Sequence, residues 1–316
     1  MIFTITSDQD GRTVLFFLKS TLKISGSALA KLKRNERGIL VNGSHMTVRY
    51  ILRENDLLFI DEKDSEEDCN EAIMPVDLPI NVIYENDDIM IVDKPPNMPT
   101  HPSHGHTDDT LANAVAYINK ERNTPARFRP IGRLDRNTSG LSLIARNSIS
   151  ASYLFYARQK GLIHKKYIAI LCGKIESDGD FHTISTYMKR EEESVILRCI
   201  GNSEEEGAYL AVTHWRLLFS CDEISIVEAI PETGRTHQLR VHFAHIGHSI
   251  LGDDIYGTTS EHISRHALHA AFLSIPMPYS TEQISFTTPP PEDMIKATRS
   301  ICGQDLESIY LSKFNK

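Results

Sequence analysis

Ile163-His164-Lys165-Lys166-Tyr167-Ile168-Ala169-Ile170-Leu171 and Ile224-Ser225-Ile226-Val227-Glu228-Ala229-Ile230 decide how this chain is read. Both stretches are rich in branched residues, and polar and apolar side chains alternate as on a pleated strand with one buried face. Strand-like runs outnumber helical ones and do not alternate with them regularly. That pattern predicts an α+β fold built on a largely antiparallel mixed sheet. Towards the N-terminus, Ile80 to Tyr84 and Ile89 to Asp93 flank Glu85-Asn86-Asp87-Asp88 and predict a hairpin. Pro95-Pro96 and Pro99 stop regular structure, and the loop continues through His101-Pro102-Ser103-His104-Gly105-His106. Leu111, Ala114, Val115 and Ile118 then have helical spacing, with Asp108 and Asp109 placed for the helix N-terminus. This unit is expected to span residues 79–316.

Residues 1–62 read as a separate small α/β module. Leu15, Leu18 and Leu22, then Leu29 and Leu32, predict two short helices with Ser20 to Ser27 between them. Asn42-Gly43 follows Gly38-Ile39-Leu40-Val41 and signals a two-residue hairpin turn. Tyr50-Ile51-Leu52 and Leu57-Leu58-Phe59-Ile60 add strand-like runs around Glu54-Asn55-Asp56. Residues 63–78 read as an acidic linker, poor in apolar groups at its start. A length of 316 residues accommodates two such domains and a sizeable core.

Composition narrows the function classes. With 41% hydrophobic and 24% charged residues the chain has ordinary globular values. Its longest apolar runs, such as Val14 to Leu18, fall far short of the roughly 20 residues that span a bilayer. The first residues show no basic region followed by an apolar core, so no secretory signal is read there. Cys69, Cys172, Cys199, Cys221 and Cys302 are scattered and never form a CxxC pair, which speaks against a disulfide scaffold or zinc ribbon. A cytoplasmic protein without membrane contact is expected. The net charge of −8 argues against a polyanionic partner only as a total. Arg12 to Arg53 holds nine Lys/Arg against Glu36, and Lys120 to Lys166 holds eleven against Glu121 and Asp135. Asp61 to Asp88 holds eleven acids against Lys63. Phosphate binding responds to such local fields, although either basic stretch alone could be no more than a solvated face.

The stretch with chemical content is Gly132-Arg133-Leu134-Asp135-Arg136-Asn137-Thr138-Ser139-Gly140-Leu141. One carboxylate between two arginines in a turn-rich loop suits a nucleophile or base kept as an anion. Taken by itself, an ion pair of Asp135 with Arg133 or Arg136 that caps a turn is the commoner arrangement.

That stretch resembles the catalytic motif of the RluA-type pseudouridine synthases, and further segments follow in that family's order. They are Ile91-Val92-Asp93-Lys94-Pro95-Pro96 with His101-Pro102, and Lys165-Lys166-Tyr167-Ile168-Ala169. Thr233-Gly234-Arg235-Thr236-His237-Gln238-Leu239-Arg240, Gly252-Asp253-Asp254-Ile255-Tyr256-Gly257 and Leu268-His269-Ala270 complete the set. The resemblance covers about residues 80–275. It implies an enzyme that isomerises uridine in RNA, without a cofactor, on a base turned out of its stack. Chain segments with GxGxxG or P-loop spacing are indeed absent. By the same resemblance Asp135 is the nucleophilic carboxylate, Tyr167 stacks on the flipped uracil, and Arg240 pairs with the aspartate. Arg133 helps displace the target nucleotide, and Lys165 contacts phosphate. The basic helices and Val-Asn-Gly hairpin of residues 12–60 resemble the ribosomal-S-four-like RNA-binding module. Large-subunit ribosomal RNA is favoured over transfer RNA as the substrate, and a monomer is expected.

Two departures from the family pattern are visible: Gly132 stands where many members have His, and Leu239 where Ile is usual. The alternative from another class is a non-catalytic RNA-binding or ribosome-assembly factor on the same scaffold. His242, His245 and His248 invite a zinc reading, but no HExxH pattern or nearby cysteine completes a ligand set, so no metal is expected. A serine hydrolase lacks the GxSxG elbow.

Overall fold

The computed structural model describes residues 1–61, 73–124, 126–176, 179–194, 196–280 and 282–314. Most of the expected acidic linker lies outside the described residues. The N-terminal part contains β1 (Ile2–Thr4), α1 (Val14–Ser20), α2 (Gly26–Arg34), β2 (Ile39–Val41), β3 (Ser44–His45) and β4 (Leu57–Ile60). Its sheet has the order β1-β4-β2-β3, antiparallel throughout. Each helix starts where a hydroxyl can accept an orphan backbone N–H: Thr13 from Phe16, and Ser25 from Ala28. Asn42 and Gly43 both have positive φ, 51° and 80°, and join β2 to β3 in the tight turn that Asn-Gly favours.

The larger part follows as β5 (Asn81–Glu85), β6 (Ile89–Lys94), α3 (Leu111–Glu121), β7 (Ser139–Ala145) and α4 (Ser148–Gln159). Next come β8 (His164–Cys172), β9 (His182–Arg190), β10 (Arg198–Gly201), β11 (Tyr209–Ser220), β12 (Ile224–Pro231) and α5 (Gln238–His245). β13 (Leu268–Pro276), β14 (Gln283–Thr287), α6 (Glu292–Cys302) and α7 (Leu306–Ile309) complete it. Ten strands form one sheet in the order β10-β9-β11-β12-β8-β13-β7-β6-β5, with β14 on β13. The only parallel contact among the described pairs is between β13 and β7. It lasts two residues, after which β14 takes the same edge of β13. The sheet therefore forks at β13.

Alternation overstates how exposed the two central strands are. Ile168, Ala169, Ile170 and Leu171 of β8, and Ile226, Val227, Glu228 and Ala229 of β12, are all 0% exposed. Layers on both faces of the sheet cover them, and Glu228 lies buried between Lys166 and Arg216. α3 starts just after Asp108 and Asp109: its N-cap is Thr110, in a capping box with Asn113, and Asp109 pairs with His106.

The two parts share a boundary along α4. Ile149 of that helix is buried in the N-terminal core beside Val14, Leu18 and Leu22, and Tyr279 packs there too, edge-on to Phe3. Among the described residues, no helix is long and apolar enough to cross a membrane.

Candidate active site

The loop that follows Gly132 runs into β7 and is anchored from several directions. Thr100 Oγ1 donates to the Leu134 carbonyl at 2.9 Å, and Arg265 Nη1 donates to that of Asn137 at 2.9 Å. Lys94 is 0% exposed and donates to the carbonyls of Pro95, Met98 and Arg136 at 2.9, 2.9 and 3.1 Å. Its three N–H bonds thus tie the β6 end to the residue after Asp135. Burial, followed by the Arg265 charge, lowers the Lys94 pKa to about 7, against the pull of Asp135 and Asp93. Gly140 has φ +109°, and a Cβ there would meet the Ala270 carbonyl oxygen at 2.3 Å. Only glycine lets β7 reach β13 at this point.

A cavity of about 1190 Å³ opens beside this loop. Asp135, Tyr167, Arg240, Arg133 and Lys165, all singled out from the sequence, line it together. Local pairing of Asp135 with its neighbouring arginines does not occur. Arg136 turns to Asn97 and His106, and Arg133 is exposed. The nitrogen neighbours of Asp135 come instead from residues about a hundred positions later. Arg240 Nη1 lies 3.9 Å from Oδ2, and His237 Nε2 lies 4.0 Å from Oδ1.

Arg240 is 3% exposed and is held mainly by another carboxylate. Its Nε and Nη2 donate to Asp253 Oδ2 and Oδ1, each at 2.7 Å, a two-bond fork that fixes the guanidinium plane. Asp253 also accepts from the Ile255 and Tyr256 backbone N–H groups, both at 3.0 Å. Burial opposes the Asp253 charge, but the Arg240 bonds and these amides outweigh it and hold the carboxyl below the usual range. The expected Arg240–Asp135 pairing is therefore a longer contact made by the one guanidinium nitrogen that Asp253 leaves over.

His237 opens α5 in a left-handed conformation with φ 58°, which turns its ring into the cavity. The Tyr256 hydroxyl accepts from Arg198 N–H at 2.9 Å and lies 2.9 Å from His237 Nδ1. With its own hydrogen given to Nδ1, the neutral ring carries its proton on Nε2, facing Asp135. Burial lowers the His237 pKa, Asp135 opposes that, and Arg240 and Arg198 reinforce it, so the neutral ring prevails near pH 7.

On β8 the pleat separates neighbours: Lys165 and Tyr167 line the cavity, whereas Lys166 pairs with Glu228. Tyr167 is 8% exposed, and burial, then the Asp135 charge, raise its pKa, so it presents a neutral ring and hydroxyl. Burial, then Arg158, lower the Lys165 pKa to about 8.

Sequence reasoning gave no role to Lys94, His237, Asp253, Tyr256 or Arg265, although motif segments contain the first four. Their signal is a partner far away in the chain, which spacing does not reveal. His242, weighed as a metal ligand, has both ring nitrogens within hydrogen-bond reach of the Thr186 and Thr213 hydroxyls, at 3.1 and 2.9 Å. Among the described residues, no group of three His, Cys, Asp or Glu side chains could hold a metal ion.

The arrangement offers an anionic carboxylate facing a cavity, a fixed cation and an N–H donor beside it, and an aromatic wall. Comparison with known proteins gives this chemistry a family. The family model described as RNA pseudouridylate synthase matches residues 88–245. The chain is 33% identical to the uncharacterized RNA pseudouridine synthase YjbO of Bacillus subtilis, covering 87% of this chain and 94% of that protein. It is 32% identical to ribosomal large subunit pseudouridine synthase D of Haemophilus ducreyi, covering 72% of each. Among solved structures, human RNA pseudouridylate synthase domain containing 1 superposes with a TM-score of 0.55 and 30% identity. That match covers 67% of this chain and 84% of the human one. A carboxylate-centred cavity on this forked sheet thus belongs to an isomerase, and the chain is a member of the RNA pseudouridine synthase family.

Proposed function

We propose that Asp135 is the nucleophile of this enzyme, acting on a uridine turned out of large-subunit ribosomal RNA into the cavity. The observation that carries this is the environment of its carboxylate, 29% exposed and facing Arg240 and His237. The other carboxylate lining the cavity, Glu232, is 64% exposed and faces His214 instead. Tyr167 stacks on the extruded uracil, which offsets part of the lost base stacking by roughly 1–3 kcal/mol. Arg240 positions the carboxylate, and Arg133, exposed, takes the space the nucleotide vacates. Lys165 meets backbone phosphate. The isomerisation breaks the bond from the ribose to nitrogen and makes one to a ring carbon, while that carbon loses a proton and the freed nitrogen gains one, so it balances without a redox cofactor.

The preference for large-subunit ribosomal RNA rests on relatives with that name, such as synthase D of Haemophilus ducreyi. Residues 1–62 act as the ribosomal-S-four-like module, with exposed Lys33, Arg34 and Arg37 at and beyond the end of α2 meeting phosphates. The enzyme works as a monomer in the cytoplasm. Pseudouridine mapping of total RNA from cells lacking the protein tests the reading. A specific site in large-subunit RNA disappears and returns with the wild type but not with Asp135→Ala. Restoration by Asp135→Ala removes Asp135 from the chemistry, and a lost site in transfer RNA alone replaces the substrate.

A further inference from the structure

Arg158 is absent from every motif that marks the family, yet it lines the cavity. It comes from the last turn of α4, and its guanidinium is close to two glycines on separate loops. A Cβ on Gly132 would lie 3.7 Å from Arg158 Cζ, and a Cβ on Gly234 would lie 3.0 Å from Nη2. Gly132, the residue before Arg133, thus leaves this guanidinium room by its missing side chain. Among the described residues, neither the Arg158 guanidinium nor the Lys165 ammonium has a carboxylate or hydrogen-bond partner. Both cations are nonetheless close enough that Arg158 is a cause of the lowered Lys165 pKa. Arg158 also acts on the Tyr167 hydroxyl. Two unneutralised cations converging on one wall repel each other, an arrangement that an anion between them relieves.

We propose that Arg158 and Lys165 together form a phosphate subsite that grips the backbone of the target nucleotide while its base lies on Tyr167. This rests on the reading that uracil stacks on Tyr167. Lys165 and Tyr167 stand two residues apart on one face of β8, a spacing of about 7 Å. That span suits a nucleotide, whose base and phosphate lie on either side of the ribose. Arg158 supplies the planar fork that recognises phosphate oxygens in pairs, and Lys165 supplies a point charge.

Binding of uridine 3′,5′-bisphosphate and of uridine to the full chain tests the subsite by calorimetry, without knowledge of the target RNA. The wild type binds the bisphosphate about tenfold more tightly than uridine, as one or two charge-assisted bonds imply. Arg158→Ala and Lys165→Ala each lose most of that ratio. Gly234→Ala, which pushes a methyl against Nη2 without removing charge, lowers it by several-fold. Lys160→Ala, on the same helix end but over the Tyr156 ring, keeps it. Equal affinities for the two ligands in the wild type, or no measurable bisphosphate binding, overturn the subsite. So does an equal loss in Lys160→Ala, which reduces the effect to a general field. Failure of the stacking reading looks different: Tyr167→Leu then leaves the affinity for uridine unchanged while the ratio still depends on Arg158.

Discussion

Asp135 and Asp253 face the same guanidinium and are held in opposite ways. Asp253 has a fully buried side chain, takes two 2.7 Å bonds from Arg240 and accepts two backbone amides besides. Asp135 is 29% exposed; the Arg240 guanidinium stands 3.9 Å away and the neutral His237 ring 4.0 Å away. Asp253 accepts four hydrogen bonds, three at Oδ1 and one at Oδ2, so it is an anchor. The carboxylate of Asp135 faces the same cation at a distance and is not tied down by it. Catalysis by position needs both: one acid that spends its interactions on fixing the cation, and another left free to act on substrate.

Substitutions can break or sharpen that contrast. The largest effect is expected from Asp135→Asn, which keeps shape and removes the anion. Turnover on RNA falls by at least about 10⁴-fold, with the melting temperature nearly unchanged. A residual rate above that in single-turnover assays would return the chemistry to another group. Asp253→Ala is expected to act on the fold instead. It leaves Arg240 buried without its partner, and urea unfolding at pH 7 records a loss of about 3–5 kcal/mol. Because the folded Asp253 pKa is depressed, its contribution is complete above about pH 4 and is lost as pH falls through the folded value. The wild type and Asp253→Ala therefore converge in stability in acid. A constant gap down to pH 2 would show that the loss is steric.

A smaller effect concerns charge at the cavity wall formed by Lys165. Lys165, with its pKa lowered to about 8, is cationic at neutral pH and loses its proton as pH rises through that value. The free enzyme then binds RNA less well, so kcat/KM falls above about pH 8. Lys165→Arg keeps its charge and moves that decline to higher pH. The smallest effect is expected for Tyr256→Phe, which removes the hydroxyl joining Arg198 N–H to His237 Nδ1. It costs about 1 kcal/mol of stability and lowers kcat a few-fold by freeing the imidazole that faces Asp135. Nitrogen chemical shifts of His237 report whether the proton stays on Nε2.

Local features were legible because their causes are local. Asn42-Gly43 turns because both residues tolerate positive φ, and the hairpin from β5 to β6 follows from polar turn residues between branched runs. Where a third party intervenes, local reading goes astray. Asp108 and Asp109 do precede α3, but their spacing does not reveal that Asp109 pairs with His106 or that Thr110 is the cap. The stretches quoted at the outset look half-buried, yet β8 and β12 lie in the middle of a sheet covered on both faces. Polar residues there, such as Glu228, survive by pairing across strands rather than by facing water.

Motif chemistry divides in the same way. Sequence alone determined which residues carry charge, aromatic surface and turn-forming backbone, and in what order, because these are properties of each residue and its neighbours. The five residues drawn from motifs meet at one cavity for that reason. Only the tertiary structure decided which partner each takes. Arg136 turns away from Asp135, Arg240 divides itself unequally between two aspartates, Lys94 ties the catalytic loop, and Arg158 enters from a helix outside every motif. Those choices depend on a β8–β13–β7 junction that brings residues about 100 positions apart within a few ångströms. Contacts of that range are set by strand order and by the close approach that Gly140 permits, neither of which is written in any short stretch of chain.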